Sequence, residues 1–181
     1  MNNYQQIGIG TYKLEGDTCV NIVKNGLNMG YKLIDTAQLY KNHENIKDGI
    51  LLSDVNRSDI FITSKIHHKN IKKNVSKAIY DIKKELDTDY MDMILLHNPV
   101  KDFIDGYKDL IFSQHHLNIT NIGVSNFTIN DIDNINKSFG FYPSFGQIEY
   151  NVFNQQTELV EHMFNNNMIV QSHTGLYRGK M

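Results

Sequence analysis

Short apolar runs alternate along the chain with stretches in which apolar residues recur every three or four positions. The short runs are QIGIG at 6–10, KLIDT at 32–36, DIFITSK at 59–65, DMILLH at 92–97, NIGVS at 121–125, FGQIE at 145–149 and MIVQS at 168–172. Several are rich in Ile, Val and Phe with little alternation, the pattern of parallel strands covered on both faces. The longer stretches predict helices. In NIKKNVSKAIYDIKKEL, residues Ile71, Val75, Ala78, Ile79, Ile82 and Leu86 form one stripe and the lysines take the outer face. Thr128, with Asp131 three residues on, predicts a capping box at the start of another helix. Asp17 reads as the cap of a third, with Val20, Val23 and Leu27 inward and its end at Gly30.

Seven strands with helices between them and no compositional break predict one α/β domain over residues 1–181. Two architectures compete, an open doubly wound sheet and an incomplete (β/α)8 barrel that lacks its eighth unit. The first needs a Gly-rich fingerprint after its first strand, and GIGTYKLEGD has only Gly8 and Gly10 before that pattern lapses. The barrel is favoured by where the chemically capable residues fall. Asp35, Lys65, His97, Ser125 with Asn126, Gln147 with Glu149, and Ser172 with His173 all sit at or just past strand carboxyl ends. A barrel gathers those ends into one mouth, where active sites are built.

Composition narrows the partner more than the fold. The 18 basic and 20 acidic side chains nearly cancel, which argues against a nucleic-acid or anionic-membrane partner and for a small molecule. Cys19 is the single cysteine, so no internal disulfide can form. The start MNNYQQIGIG lacks the basic and apolar regions of a secretory signal, and no apolar run reaches membrane-spanning length; a cytoplasmic protein is expected. The pairs His67 with His68 and His115 with His116 lack the spacing and third partner of a zinc site. They are expected at the surface, with no bound metal.

Four residues near the strand ends fit a proton-donating site. A phenol such as Tyr40 is a poor acid at neutral pH, but an adjacent ammonium favours its phenolate form. Lys65 can supply that ammonium, and a lysine in a barrel mouth needs a carboxylate such as Asp35 to stay charged. His97 can hydrogen-bond an incoming carbonyl oxygen and turn it toward Tyr40. Such a group suits protonation of an oxygen that becomes negative as hydride reaches the carbonyl carbon. Side chains do not donate hydride, so a nicotinamide cofactor is implied. Singly, Asp35 could be a helix cap, Tyr40 packing, Lys65 a surface charge and His97 a satisfied core residue; the joint placement carries the reading.

The same segments resemble the aldo-keto reductase family. GIGTYK is similar to its G-x-G-T-W-K, LIDTAQLYKNHENI to its I-D-T-A-x-x-Y-x-N-E, and DTDYMDMILLHNP to its L-x-x-D-Y-x-D-L-x-L-x-H-x-P, while DIFITSKI resembles its third strand. NIGVSNF matches I-G-V-S-N-F throughout; GQIEYNVFNQQTEL and IVQSHTGLYRG resemble two later blocks. The resemblance implies NADPH-dependent reduction of aldehydes or ketones, with Asp35, Tyr40, Lys65 and His97 as the catalytic group and Tyr40 as the acid. It implies cofactor contacts at Thr11, Lys13, Asp35, Ser125, Asn126, Gln147, His173 and Thr174, and a substrate pocket at Tyr12 and Asn98.

Departures from the family pattern concentrate near the end. His173 stands where the family has a tyrosine stacked on the nicotinamide, Gly175 where it has proline, and Tyr177 where it has glycine. Gly146 replaces an asparagine before Gln147 and removes a side-chain contact. The family's eighth strand and the basic residues around it have no counterpart, so the chain is expected to be a truncated member. Its open strand edges would then suit self-association or a complementing subunit. The alternative function is a non-catalytic remnant or binding subunit of the same fold.

Overall fold

The computed structural model describes residues 7–179; Gln6, at the head of the first strand candidate, lies outside them. Seven strands form one sheet: β1 (Ile9–Gly10), β2 (Leu33–Asp35), β3 (Phe61–Ile66), β4 (Met91–Leu96), β5 (Ile119–Ser125), β6 (Phe145–Glu149) and β7 (Ile169–His173). Helices α1 (Gly16–Asn28), α2 (His43–Leu51), α3 (His68–Ile71), α4 (Val75–Glu85), α5 (Phe103–His116), α6 (Ile129–Phe139) and α7 (Thr157–Asn165) lie between them. Neighbouring strands are consecutive in sequence and parallel throughout. Sequential parallel order, with a helical crossover each time, is the winding of a βα barrel rather than of a doubly wound sheet. Among the described residues, β1 and β7 end the order, each with one neighbour in the sheet.

The main core lies between the outward strand faces and the helices, and includes Val23, Ile34, Ile62, Ile79, Ile94, Val124 and Ile148. Alternate residues on the same strands point into the barrel. There Met93, Leu95 and Phe145 form a second, smaller cluster with Phe61 against it. Pairing aligns Lys65 with Leu95, Leu95 with Gly123, Ser125 with Gln147, and Gln147 with Gln171. This register carries Asp35, Lys65, Ser125 and Gln147 to one rim. Gly123 is required by close approach: a Cβ there would lie 2.5 Å from the Phe145 carbonyl oxygen. Gly123→Ala is therefore expected to destabilise the fold by about 1–3 kcal/mol, read as a lower urea midpoint.

Three helix expectations change in detail. The stretch 70–86 is two helices, because the Asn74 side chain accepts from the Lys77 N–H at 2.8 Å and starts α4 afresh. Asp17 is not the cap of α1; Glu15 holds that position without a side-chain bond, and Asp17 sits in the first turn, where its charge faces the positive end of the helix. The buried stripe of α1 is Cys19, Val23 and Leu27, with Val20 half-buried. The Thr128–Asp131 capping box is complete, and α6 ends at Gly140 with φ 79°. Among the described residues, no helix is long and apolar enough to cross a membrane.

Candidate active site at the carboxyl ends of the strands

A cavity of about 790 Å³ runs from the barrel floor, at Leu33, Phe61, Met93, Phe145 and Ile169, to the mouth, at Asp35, Tyr40, Lys65, His97, Ser125, Asn126, Gln147 and His173. Packed side-chain layers normally fill such a barrel. Here Gly8, Gly10 and Gly123 leave inner positions without side chains.

Lys65 is enclosed and doubly hydrogen-bonded. Only 1% of it is exposed, and its Nζ donates to Asp35 Oδ2 at 2.7 Å and to the Thr36 carbonyl at 2.9 Å. Two oxygens, one of them anionic, compensate an ammonium taken out of water. Its Nζ lies 5.3 Å from the centroid of the Tyr40 ring. Tyr40 sits on a 3₁₀ turn, Gln38–Tyr40, two residues beyond β2, which keeps it close to the carboxyl end of that strand. The turn closes because Lys41 takes the left-handed conformation, with φ 56°. The Tyr40 ring meets His97 edge-on at 5.9 Å and Tyr12 at 5.1 Å.

His97 is 8% exposed, and burial followed by the charge of Lys65 holds its pKa down to about 4, with Asp35 opposing. It is therefore a neutral imidazole at physiological pH, able to offer a ring N–H without a charge. The sign of the linked stability effect follows. Between about pH 6.5 and 4 the unfolded chain takes up a proton at His97 that the folded chain refuses, so stability falls with pH across that window. The loss attributable to His97 is roughly 3 kcal/mol, and urea denaturation of wild type and His97→Gln from pH 7 to 4 measures it, the variant having the shallower decline.

The opposite side of the mouth is an amide network. Gln147 Nε2 donates to Asp35 Oδ1 at 2.6 Å and to Gln171 Oε1 at 2.9 Å. Its own Oε1 is buried with no hydrogen-bond partner among the described residues. A buried acceptor left open costs free energy unless a ligand donor meets it. Asn126 adopts φ 59°, and its Nδ2 donates to the His97 carbonyl and to Ser125 Oγ, each at 3.1 Å. Asn126 Oδ1 is 2.9 Å from His173 Nε2, and His173 Nδ1 is 2.9 Å from Thr174 Oγ1. Both ring nitrogens of His173 are thus engaged, which fixes its plane.

An open acceptor at Gln147 beside the Ser125 hydroxyl fits a primary carboxamide, which presents N–H donors and one carbonyl acceptor. The nicotinamide end of a dinucleotide carries that group. The expected cofactor residues thus divide by position. Ser125, Asn126, Gln147, His173 and Thr174 line the cavity with Asp35, whereas Thr11 and Lys13 are not among its lining residues. Thr11 is fully buried, its Oγ1 donating to the Asp35 carbonyl at 3.1 Å. Tyr12 lines the cavity and Asn98 does not. A Cβ at Gly146 would meet Met163 of α7 at 2.8 Å, so the missing asparagine side chain leaves room for packing beneath the helix layer.

Several supporting residues escaped the sequence reading. Asn42 donates to the carbonyls of Thr11 and Leu14 and accepts from Thr36 Oγ1, joining the loops after β1 and β2. His43, fully enclosed, hydrogen-bonds Ser64 Oγ at 2.9 Å and Glu85 Oε2 at 2.7 Å, tying α2 to β3 and α4. Of the histidine pairs, His68, His115 and His116 are exposed, but His67 is half-buried and caps α3, its Nδ1 accepting from the Lys69 N–H at 3.0 Å.

Comparison with known proteins agrees with this geometry. Residues 6–180 match the aldo/keto reductase family. The chain is 32% identical over 161 residues to methylglyoxal reductase DkgA of Escherichia coli, covering 87% of this chain and 58% of that protein. A solved aldo/keto reductase from Brucella melitensis superposes with a TM-score of 0.90 at 32% identity, covering 95% of this chain and 69% of that one. An aldo-keto reductase from Bombyx mori, in complex with NADP, superposes at 0.86 with 26% identity, over 94% and 62%. The chain spans about three fifths of the length of the curated relative. On its sequence and on the barrel that sequence folds into, the chain belongs to the aldo/keto reductase family.

Proposed function

We propose that the mouth reduces a carbonyl compound to an alcohol, with NADPH as the hydride source and Tyr40 as the proton donor. The observation that carries this is the meeting of the Asp35–Lys65 pair, the Tyr40 and His97 rings and the open Gln147 Oε1 in one cavity. When bound, the cofactor supplies hydride to the carbonyl carbon. The chain's own residues do the rest. Gln147 Oε1 would accept from the carboxamide N–H and the Ser125 hydroxyl would donate to its oxygen. Asn126, its Nδ2 already used, holds Ser125 and the His97 carbonyl in place. A ring N–H of neutral His97 hydrogen-bonds the substrate oxygen and orients it. Tyr40 transfers its phenolic proton to that oxygen, and the Lys65 ammonium, kept charged by Asp35, stabilises the phenolate left behind. Small oxoaldehydes are reasonable first substrates, since a relative is a methylglyoxal reductase.

The test is a titration of purified protein with NADPH, followed by nicotinamide fluorescence and then by absorbance after methylglyoxal is added. Enhanced fluorescence and aldehyde-dependent oxidation are expected; neither signal changing would defeat the reading.

A second reading has its own support. Among the described residues, β1 and β7 each have one neighbour in the sheet. Such edges suit a binding subunit completed by a second copy or another βα unit. Sedimentation separates the two: an active monomer would exclude the second reading.

A further inference from the structure

We propose that Gln171 is a positioning residue of the nicotinamide seat: hydrogen bonds running from Lys65 through Asp35 and Gln147 to Gln171 decide which end of the Gln147 amide stays open, and so which ring substituent the seat accepts. The proposal deepens the carbonyl-reduction reading and rests on it for the ligand. Lys65 Nζ donates to Asp35 Oδ2 at 2.7 Å, and Gln147 Nε2 donates to the other oxygen, Oδ1, at 2.6 Å. The second bond crosses the mouth from β2 to β6. A carboxylate that faces an ammonium has no proton to give, so both its oxygens accept. Gln147 can therefore turn only its nitrogen toward Asp35. The second N–H on that nitrogen needs its own acceptor, and Gln171, in register with Gln147 on the neighbouring strand, presents Oε1 at 2.9 Å. Turning the Gln171 amide over would set donor against donor, so the direction imposed by Asp35 passes along the whole chain.

Held at two points, the amide of Gln147 has its plane fixed. The residue is 2% exposed and lines the cavity with Gln171 and Ser125, and its Oε1 is the polar atom left without a partner among the described residues. A buried acceptor held in one direction selects a ligand that brings an N–H. A carboxamide on the pyridine ring does so. A methyl ketone at the same ring position brings only an oxygen and leaves Gln147 Oε1 unmet, at a cost in affinity. Gln171 acts here through Gln147, by keeping the acceptor in place before the ligand arrives.

Two measurements test this. In the protein without ligand, the side-chain amide protons of Gln147 are followed by NMR, assigned with Gln147→Met. Both are expected to be shifted and slowed in exchange relative to free glutamine amides. In Gln171→Met, which keeps the length of the side chain and removes the acceptor, one of the two returns to the free position while the one on Asp35 stays. Calorimetric titration then compares NADP with its 3-acetylpyridine analogue. Wild type is expected to bind NADP about tenfold more tightly or better. In Gln171→Met that ratio falls about fivefold, through weaker NADP binding, the worth of one hydrogen bond. Gln171→Glu keeps an oxygen facing Gln147, and both ligands carry the same ring charge, so this variant retains the wild-type ratio and both shifted protons. An analogue bound as tightly as NADP, Gln147 protons or a ratio unchanged in Gln171→Met, or a Gln171→Glu protein that behaves as Gln171→Met overturns the proposal. Should neither nucleotide bind, the carbonyl-reduction reading fails, and the amide resonances alone then decide whether Gln171 holds Gln147.

Discussion

Tyr40→Phe is expected to lower carbonyl reduction by about 10²–10⁴-fold while NADPH still binds. Phenylalanine keeps the ring that meets Tyr12 and His97, so the mouth retains its shape and loses only the transferable proton. The loss therefore belongs in kcat, with KM and the fluorescence titration little changed. Steady-state kinetics beside NADPH titration measures both. A variant that turns over at the wild-type rate would move the proton donor elsewhere; a variant that no longer binds NADPH would make Tyr40 a cofactor residue.

The second large effect is expected at Asp35. Removing this carboxylate leaves the Lys65 ammonium, which is almost wholly enclosed, with the Thr36 carbonyl alone, and strips Gln147 Nε2 of one acceptor. Breaking a buried pair from one side costs about 3–5 kcal/mol. Asp35 is partly exposed, so Asp35→Ala is placed at about 3 kcal/mol, the low end of that range. Lys65→Met is milder, since the carboxylate left behind reaches solvent and keeps Gln147. The double variant Asp35→Asn with Lys65→Met should regain most of the lost stability, because neither charge remains stranded. It should regain no activity. Denaturant unfolding and NADPH oxidation on all three variants separate the structural share of this pair from its chemical share. A double variant as unstable as Asp35→Ala, or one that is active, contradicts the account.

The strands were legible because their apolar runs are short and bounded, and the rim because Asp35, Lys65, His97 and Ser125 close successive runs. Alternation within those runs was not legible. Both faces of a barrel strand are covered, so Gln171, which lines the cavity and accepts from Gln147, looks no different in sequence from its outward neighbours. Local competition hid other features. Asn74 breaks a continuous helical stripe because its side chain caps better than it continues, and no hydrophobic count registers that. The bonds from the His67 N–H and Asn70 Nδ2 to Gln38 Oε1, and the His43 ties to Ser64 and Glu85, join residues 21 to 42 positions apart, and only the folded register brings them together. The engagement of Asn126 by His173 was equally invisible, although the change at 173 itself was plain. Asn126 thus has both ends of its amide engaged, by the His97 carbonyl and Ser125 on one side and His173 on the other.

If one rim holds both the nicotinamide and the proton donor, a crystal structure of the chain with NADP will show the carboxamide nitrogen on Gln147 Oε1, its oxygen on Ser125, and the ring facing the space between Tyr40 and His97. Nicotinamide density outside the mouth, or a mouth still open at saturating NADP, would contradict it.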